Sequence, residues 1–291
     1  MVSESPAVAR RRLRLALRRA REASGLTQGQ VAESLEWSLS KVNRIENGDV
    51  TVSSTDLRAL LGLLGITDPE AAERMTQDAR VSRQRGWWDQ AQYREYVTSA
   101  TLQLLQFESE STAIRSFQPT VIPGLLQTRG YAETILNHWV NQLPVEARAA
   151  RLEIRMQRRA HVIERPDPPM YLGVLDESIL HRAYGGAKVM AEQLEELAGY
   201  LDNPSVIIRV LPLADAGTAA MTGPFTVFDL GDEENAVLYR EFGESDEITH
   251  VPDRVERYRK VFEALWDVSM PEERSARTIR AKAAELLARL E

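Results

Sequence analysis

The chain has 291 residues, 43% apolar and 27% charged, with a formal net charge of -7 and no cysteine. This length suggests about two domains, and the missing thiols exclude a disulfide scaffold, cysteine catalysis and cysteine-ligated metal sites. The longest apolar run, 59–66, is far short of the roughly 20 residues that span a bilayer, and arginines interrupt the N-terminus where a signal peptide needs an apolar core. The expected location is therefore the cytoplasm, with no membrane partner.

The acidic total argues against a nucleic-acid partner until it is split. Up to Ile66, ten Lys/Arg stand against seven Asp/Glu, a balance of +3; beyond it the balance is -10. The first 24 residues alone carry +5. Such asymmetry suggests a nucleic-acid-facing segment joined to an acidic body, although an Arg-rich helix also reads as a plain solvated face.

The first 82 residues read as helices. Leu13, Ala16, Leu17 and Ala20 form one apolar stripe, and Gly25 stops that helix. Thr27 and Gln30 make a capping box, after which Val31, Ala32 and Leu35 face inward. Ser38 suits the N-cap of Leu39–Glu46, and Asn47-Gly48 ends that helix. A fourth helix follows Ser53 or Ser54, with Leu57, Leu60, Leu61 and Leu64 buried. Asp68-Pro69 starts another. Further on, helices are expected at 93–111, 124–140, 145–164, 188–201, 253–267 and 273–290. Strands are expected at Ile114–Gln118, Met170–Leu175, Val206–Leu211, Phe225–Leu230 and Val237–Phe242. The absence of strict alternation favours α+β. The predicted division is a helix-turn-helix domain at 1–68, a helical linker at 69–90 and an α+β regulatory or partner-binding domain at 91–291.

Two short helices joined by Glu36-Trp37-Ser38 have the layout of a helix-turn-helix. Val42 and Ile45 bury one side of the second helix, leaving Leu39, Ser40, Asn43 and Arg44 opposite and Lys41 on the flank. A helix fits the major groove of DNA, where Arg suits the paired acceptors of guanine, Asn and Ser suit several edges, and Leu39 can meet only apolar features such as a thymine methyl. Arg44 can equally serve as a phosphate contact. An ordinary helical hairpin is the bland alternative.

Arg21 to Gln28, with Val31-Ala32, Ser38, Ser40, Val42 and Arg44-Ile45-Glu46, resembles the Xre/Cro (lambda-repressor-like) helix-turn-helix over about 10–66. The resemblance implies an all-α DNA-binding domain of five helices. It implies phosphate contacts from Gln28 and Asn47, base contacts from Leu39, Ser40 and Arg44, and an ion pair between Arg21 and Glu46. Ser38, Lys41 and Asn43 complete the expected DNA-facing set. Glu36 departs from the family, which usually has glycine in the turn. Further on, Gly86-Trp87-Trp88, Ala113 to Thr128, Arg158-Arg159, Leu175 to Ser178, Gly223 to Thr226 and Val261-Phe262 are similar to a C-terminal domain attached to such regulators in actinobacteria. That resemblance implies antitoxin-like or developmental regulators, often paired with a small protein from a neighbouring gene.

An enzyme finds little support. His138, His161, His181 and His250 offer no i, i+4 metal pair, and Gly185-Gly186 and Gly217 form no phosphate-binding loop. Asp176, Glu177 and His181 read either as an acid–base group or as an acidic helix start. Trp87 and Trp88 read either as an aromatic pocket or as interdomain core. The 145–164 helix can bind a partner or be solvated, and the C-terminal helix can dimerise or pack on its own domain. No catalytic set, cofactor or metal is expected. The predicted function is a sequence-specific transcriptional regulator that binds palindromic double-stranded DNA as a homodimer and is controlled by a small protein partner or small-molecule effector. The alternative is an antitoxin-like adaptor that mainly sequesters a small partner protein.

Overall fold

The computed structural model describes residues 6–289 apart from 49, 84–85, 91–92, 94, 139–143, 201, 216, 218–221, 232–235 and 243–244. The chain forms two compact units, Met1–Asp89 and Gln90–Glu291.

The first unit is built of helices α1 (Pro6–Ala23), α2 (Gln28–Ser34), α3 (Leu39–Asn47), α4 (Ser54–Leu63) and α5 (Pro69–Val81). Their ends follow the capping chemistry of the sequence. Thr27 and Gln30 close a reciprocal box at the start of α2, which satisfies two otherwise orphaned N–H groups. Ser38 Oγ accepts from Lys41 N at 3.2 Å, and Ser53 Oγ accepts from Asp56 N at 3.0 Å. Gly48, in the left-handed region at φ 80°, ends α3. The core gathers Leu13 and Leu17 of α1, Val31 and Ala32 of α2, Val42 and Ile45 of α3, and Leu57 and Leu60 of α4.

Residues 69–81 were set apart in the sequence as the start of a linker, but they belong to this unit. Met75 and Ala79 of α5 are 6% and 1% exposed and complete the same core. Arg12 Nε donates to Asp78 Oδ2 at 3.0 Å, and its Nη2 reaches Oδ1. Arg10 Nη2 donates to the Ser82 carbonyl at 3.1 Å. The i, i+4 apolar pair of α5 finds its partner only in three dimensions, on α1.

The second unit holds β1 (Ala113–Gln118), β2 (Met170–Asp176), β3 (Val206–Leu211), β4 (Phe225–Asp229), β5 (Ala236–Phe242) and β6 (Ser245–Thr249). They form one mixed sheet in the order β3-β2-β1-β4-β5-β6. β1, β2 and β3 run parallel, and β4, β5 and β6 add antiparallel on the other side of β1. Its helices are α6 (Ser99–Glu110), α7 (Arg129–His138), α8 (Val145–Val162), α9 (Gly186–Tyr200), α10 (Pro252–Val268) and α11 (Glu272–Ala288). The two-residue period of the strands divides the core. Ile114, Tyr171, Ile208, Phe228 and Val237 pack with α6, α9 and α11 on one face. Phe117, Val174, Val227 and Leu238 pack with Val255, Phe262 and Leu265 of α10 on the other. The N-terminal unit is thus all-α and the C-terminal unit α+β.

β6 adds a strand beyond the five expected, and its start, Ser245-Asp246-Glu247, carries no β-branched or aromatic signal; Arg240–Glu247 pairing helps hold it (3.3 Å). The edge strand β3 is blunted by the chain after α10. Val210 N donates to Ser275 Oγ at 3.0 Å, and Met270 N donates to the Val210 carbonyl at 2.8 Å. This removes exposed pairing groups from the sheet margin. The helix expected at 124–140 is instead a short 3₁₀ turn, Gly124–Leu126, followed by α7. Gln127 is extended between them, and its Nε2 donates back to the Ile122 carbonyl at 2.6 Å.

Candidate nucleic-acid interface

The turn between α2 and α3 has to reverse the chain within four residues. Glu36 does so at φ 55°, the one non-glycine residue in the left-handed region among those described. Glutamate thus adopts the conformation for which glycine is preferred, at a cost on the order of 1 kcal/mol. Trp37 N then donates to the Ala32 carbonyl at 2.8 Å, which closes the turn onto α2.

The turn presents α3 with two unlike sides. Val42 and Ile45 are 2% and 4% exposed. Ser38, Leu39, Ser40 and Arg44 are exposed, Leu39 to 51%. Leu39 is one of several exposed large apolar side chains among the described residues, so its exposure alone does not require a partner. The Arg44 side chain has no hydrogen-bond or ion-pair partner among the described residues and keeps its donors available. Asn43 is half-buried, and its Oδ1 is a buried acceptor without a partner, so this side chain is only partly presented. The side chain of Asn47 lies outside the described residues.

Lys41 is committed elsewhere. Its Nζ stands 2.8 Å from Asp56 Oδ1 and 3.7 Å from the centroid of the Trp37 ring. The ammonium is therefore tied to the start of α4 and to the turn, not held out beside Arg44.

Behind α3 sits a polar lock. Arg21 of α1 donates through Nε to Glu46 Oε1 at 2.6 Å and through Nη2 to Oε2 at 3.1 Å. Its Nη1 donates to the Leu26 carbonyl at 2.9 Å. Gln28 Nε2, at the first turn of α2, donates to the same Glu46 Oε2 at 2.8 Å. The two charged side chains are 12% and 8% exposed. The hydrogen bond to Glu46 holds the Arg21 guanidinium above its usual value, against a smaller opposing effect of desolvation. One carboxylate thus fastens α1, α2 and the last turn of α3 together. The Gln28 amide is occupied by this lock.

The other candidate groups do not converge. Asp176 Oδ1 accepts from Ser178 N at 2.9 Å, capping the 3₁₀ turn Glu177–His181. Glu177 Oε2 accepts from Leu213 N at 3.1 Å. The two carboxylates serve backbone donors instead of facing His181. Trp87 and Trp88 meet edge to face with ring centroids 5.7 Å apart, and Trp88 is 7% exposed. Among the described residues no group of three or more His, Asp or Glu could hold a metal ion. No helix among them is long and apolar enough to cross a membrane.

Sequence reasoning missed the polar interior of the second unit. Arg158 and Glu108 form a bidentate pair with side chains 11% and 3% exposed. Asp229 takes both Arg115 and Arg259 beneath α10. These partners are 30 to over 100 residues apart, and nothing local in the sequence joins them.

Residues 12–74 match the model of a helix-turn-helix domain, and residues 101–281 match the model of a domain of unknown function, DUF5753. No curated protein and no solved structure matches the chain. A helix-turn-helix domain points to DNA binding and transcription regulation.

Proposed function

The chain belongs to the family of the domain of unknown function DUF5753, and from that premise and its helix-turn-helix domain we propose that it is a cytoplasmic, sequence-specific transcriptional regulator of Xre/Cro type. The observation that carries this is the exposed Ser38-Leu39-Ser40 and Arg44 face of α3, set against the buried Val42 and Ile45. A helix presented in this way suits the major groove, with its N-terminal residues toward base edges. Leu39, Ser40 and Arg44 are the proposed base readers, with Ser38 and Asn43 at the margin. Gln28 and Asn47 are proposed for phosphate, Gln28 after its amide is shared or released by Glu46. A homodimer on a palindromic operator supplies two such helices about one turn of DNA apart.

The second unit is the proposed control domain, acting through a small protein partner or a small-molecule effector. The alternative, an antitoxin-like adaptor whose main task is to hold a small partner, draws on the resemblance of 85–270 to domains of that kind. Co-purification with the product of the adjacent gene separates the two readings.

Fluorescence anisotropy on the protein's own upstream DNA tests the main reading. Binding is expected to weaken steeply with salt. Arg44→Gln is expected to relax preference at one base position by about 1–3 kcal/mol. A uniform loss on every sequence instead makes Arg44 a phosphate contact, and no binding to any tested DNA overturns the reading.

A further inference from the structure

Helix α3 carries two cations, and they are held differently. Arg44 is exposed and has no hydrogen-bond or ion-pair partner among the described residues. Lys41, one turn earlier on the flank of the same face, is held on two sides. Its Nζ stands 2.8 Å from Asp56 Oδ1 and 3.7 Å from the centroid of the Trp37 ring. The two partners come from different elements, Trp37 from the turn before α3 and Asp56 from the first turn of α4. Each is itself anchored. Trp37 N donates to the Ala32 carbonyl at 2.8 Å, and Asp56 N donates to Ser53 Oγ, the N-cap, at 3.0 Å. The positive end of α4 also favours a carboxylate at that position.

Neither charged side chain is deeply buried: Lys41 is 37% and Asp56 24% exposed. An ion pair so placed adds little to stability. What the pairing changes is the positive charge available beside the α3 face proposed to meet DNA. A loose lysine on this flank is a point charge on a flexible stem that any phosphate attracts. Bound to Asp56 and Trp37, the ammonium has to give up a full ionic contact and an aromatic face to meet a phosphate that offers only another ionic contact.

We propose that Asp56 is an internal competitor of the DNA phosphates for Lys41. It withholds one cation from the DNA backbone, so that a larger share of the affinity comes from the base-edge side chains of α3. Trp37 is the positioning residue that keeps the ammonium on Asp56. This competition acts on DNA and therefore rests on the regulator function proposed above.

The test uses the full-length protein and a duplex of scrambled sequence. Anisotropy is measured across a salt series for the wild type, Asp56→Asn, Lys41→Gln and the double variant. Asp56→Asn is expected to steepen the slope of log affinity against log salt by about 0.9, the signature of one added phosphate contact, and to raise affinity roughly five-fold at about 0.1 M salt. In the double variant the slope is expected to return to the wild-type value, which separates release of Lys41 from the simple loss of an acidic charge. A purely structural pair gives a lower urea midpoint and no change of slope. A second readout needs no DNA. The chain has four lysines, so reductive methylation is followed at Lys41 with Lys188, Lys260 and Lys282 as internal references. Asp56→Asn is expected to speed the reaction at Lys41 roughly three-fold. The proposal is overturned by an unchanged slope in Asp56→Asn, by a steeper slope that persists in the double variant, or by an unchanged rate at Lys41. If the wild type and every variant bind no DNA, the regulator function falls and this proposal with it; a wild type that binds while Asp56→Asn keeps its slope sinks this proposal alone.

Discussion

Replacing Arg21 by Met removes four donated hydrogen bonds, two to Glu46 and one each to the Leu26 carbonyl and Glu22, and one positive charge while keeping most of the aliphatic stem. Glu46 is left 8% exposed, with Gln28 as its remaining partner at 2.8 Å. Breaking a fully buried pair costs about 3–5 kcal/mol, and an exposed pair is worth about 0–1 kcal/mol. This pair lies at the rim of a small domain and keeps one neutral donor, so the expected loss is about 2 kcal/mol. For a unit of this size that lowers the unfolding midpoint by roughly 10 °C. The assay is urea unfolding of residues 1–89, combined with a double-mutant cycle using Glu46→Gln. A coupling energy of about 1.5 kcal/mol is expected, since the side chains are in direct contact. A loss below about 0.5 kcal/mol, or additivity in the cycle, would refute the view that this carboxylate fastens α1 and α2 to the end of α3.

Other consequences are open to measurement. Lys41→Gln is expected to leave the salt dependence of DNA binding unchanged and to cost under about 1 kcal/mol of stability, since Asp56 and Trp37 hold the ammonium; a salt slope shallower by about one charge would show that Lys41 transfers to phosphate. Glu36→Gly is expected to stabilise the first unit by about 0.5 kcal/mol, relief of the φ 55° backbone outweighing the entropy of the unfolded chain; a destabilised variant would mean the Glu36 side chain contributes more than its backbone costs. A fragment ending at residue 68 is expected to be about 3 kcal/mol less stable than one ending at 89, because it lacks buried Met75 and Ala79, and equal urea midpoints would remove α5 from the folding unit. The 1–89 fragment is also expected to bind non-specific DNA more tightly per monomer than the full chain at matched salt, because it leaves behind most of the acidic body; weaker binding would count against that electrostatic account.

Caps and periodicities made most elements legible in the sequence. Thr27 with Gln30, Ser38, Ser53 and Asp68 each satisfy N–H groups within three residues, so α2 to α5 could be located without any tertiary information. Five of the six strands announced themselves through β-branched and aromatic residues, while β6, with its Ser-Asp-Glu start, did not. The two-sided character of α3 was equally local, since Val42 and Ile45 are three apart and the DNA-facing candidates fall between and beyond them.

Tertiary structure alone decided the rest, for a common physical reason: charge neutralisation and core completion depend on distance in space, which sequence separation does not encode. Pro69–Val81 reads as a helix in any context, but only packing on α1 makes it part of the N-terminal core. Lys41 looked like a flank of the recognition surface until Asp56, fifteen residues on, took its ammonium. Asp176 and Glu177 looked like acids beside His181 until backbone donors claimed them.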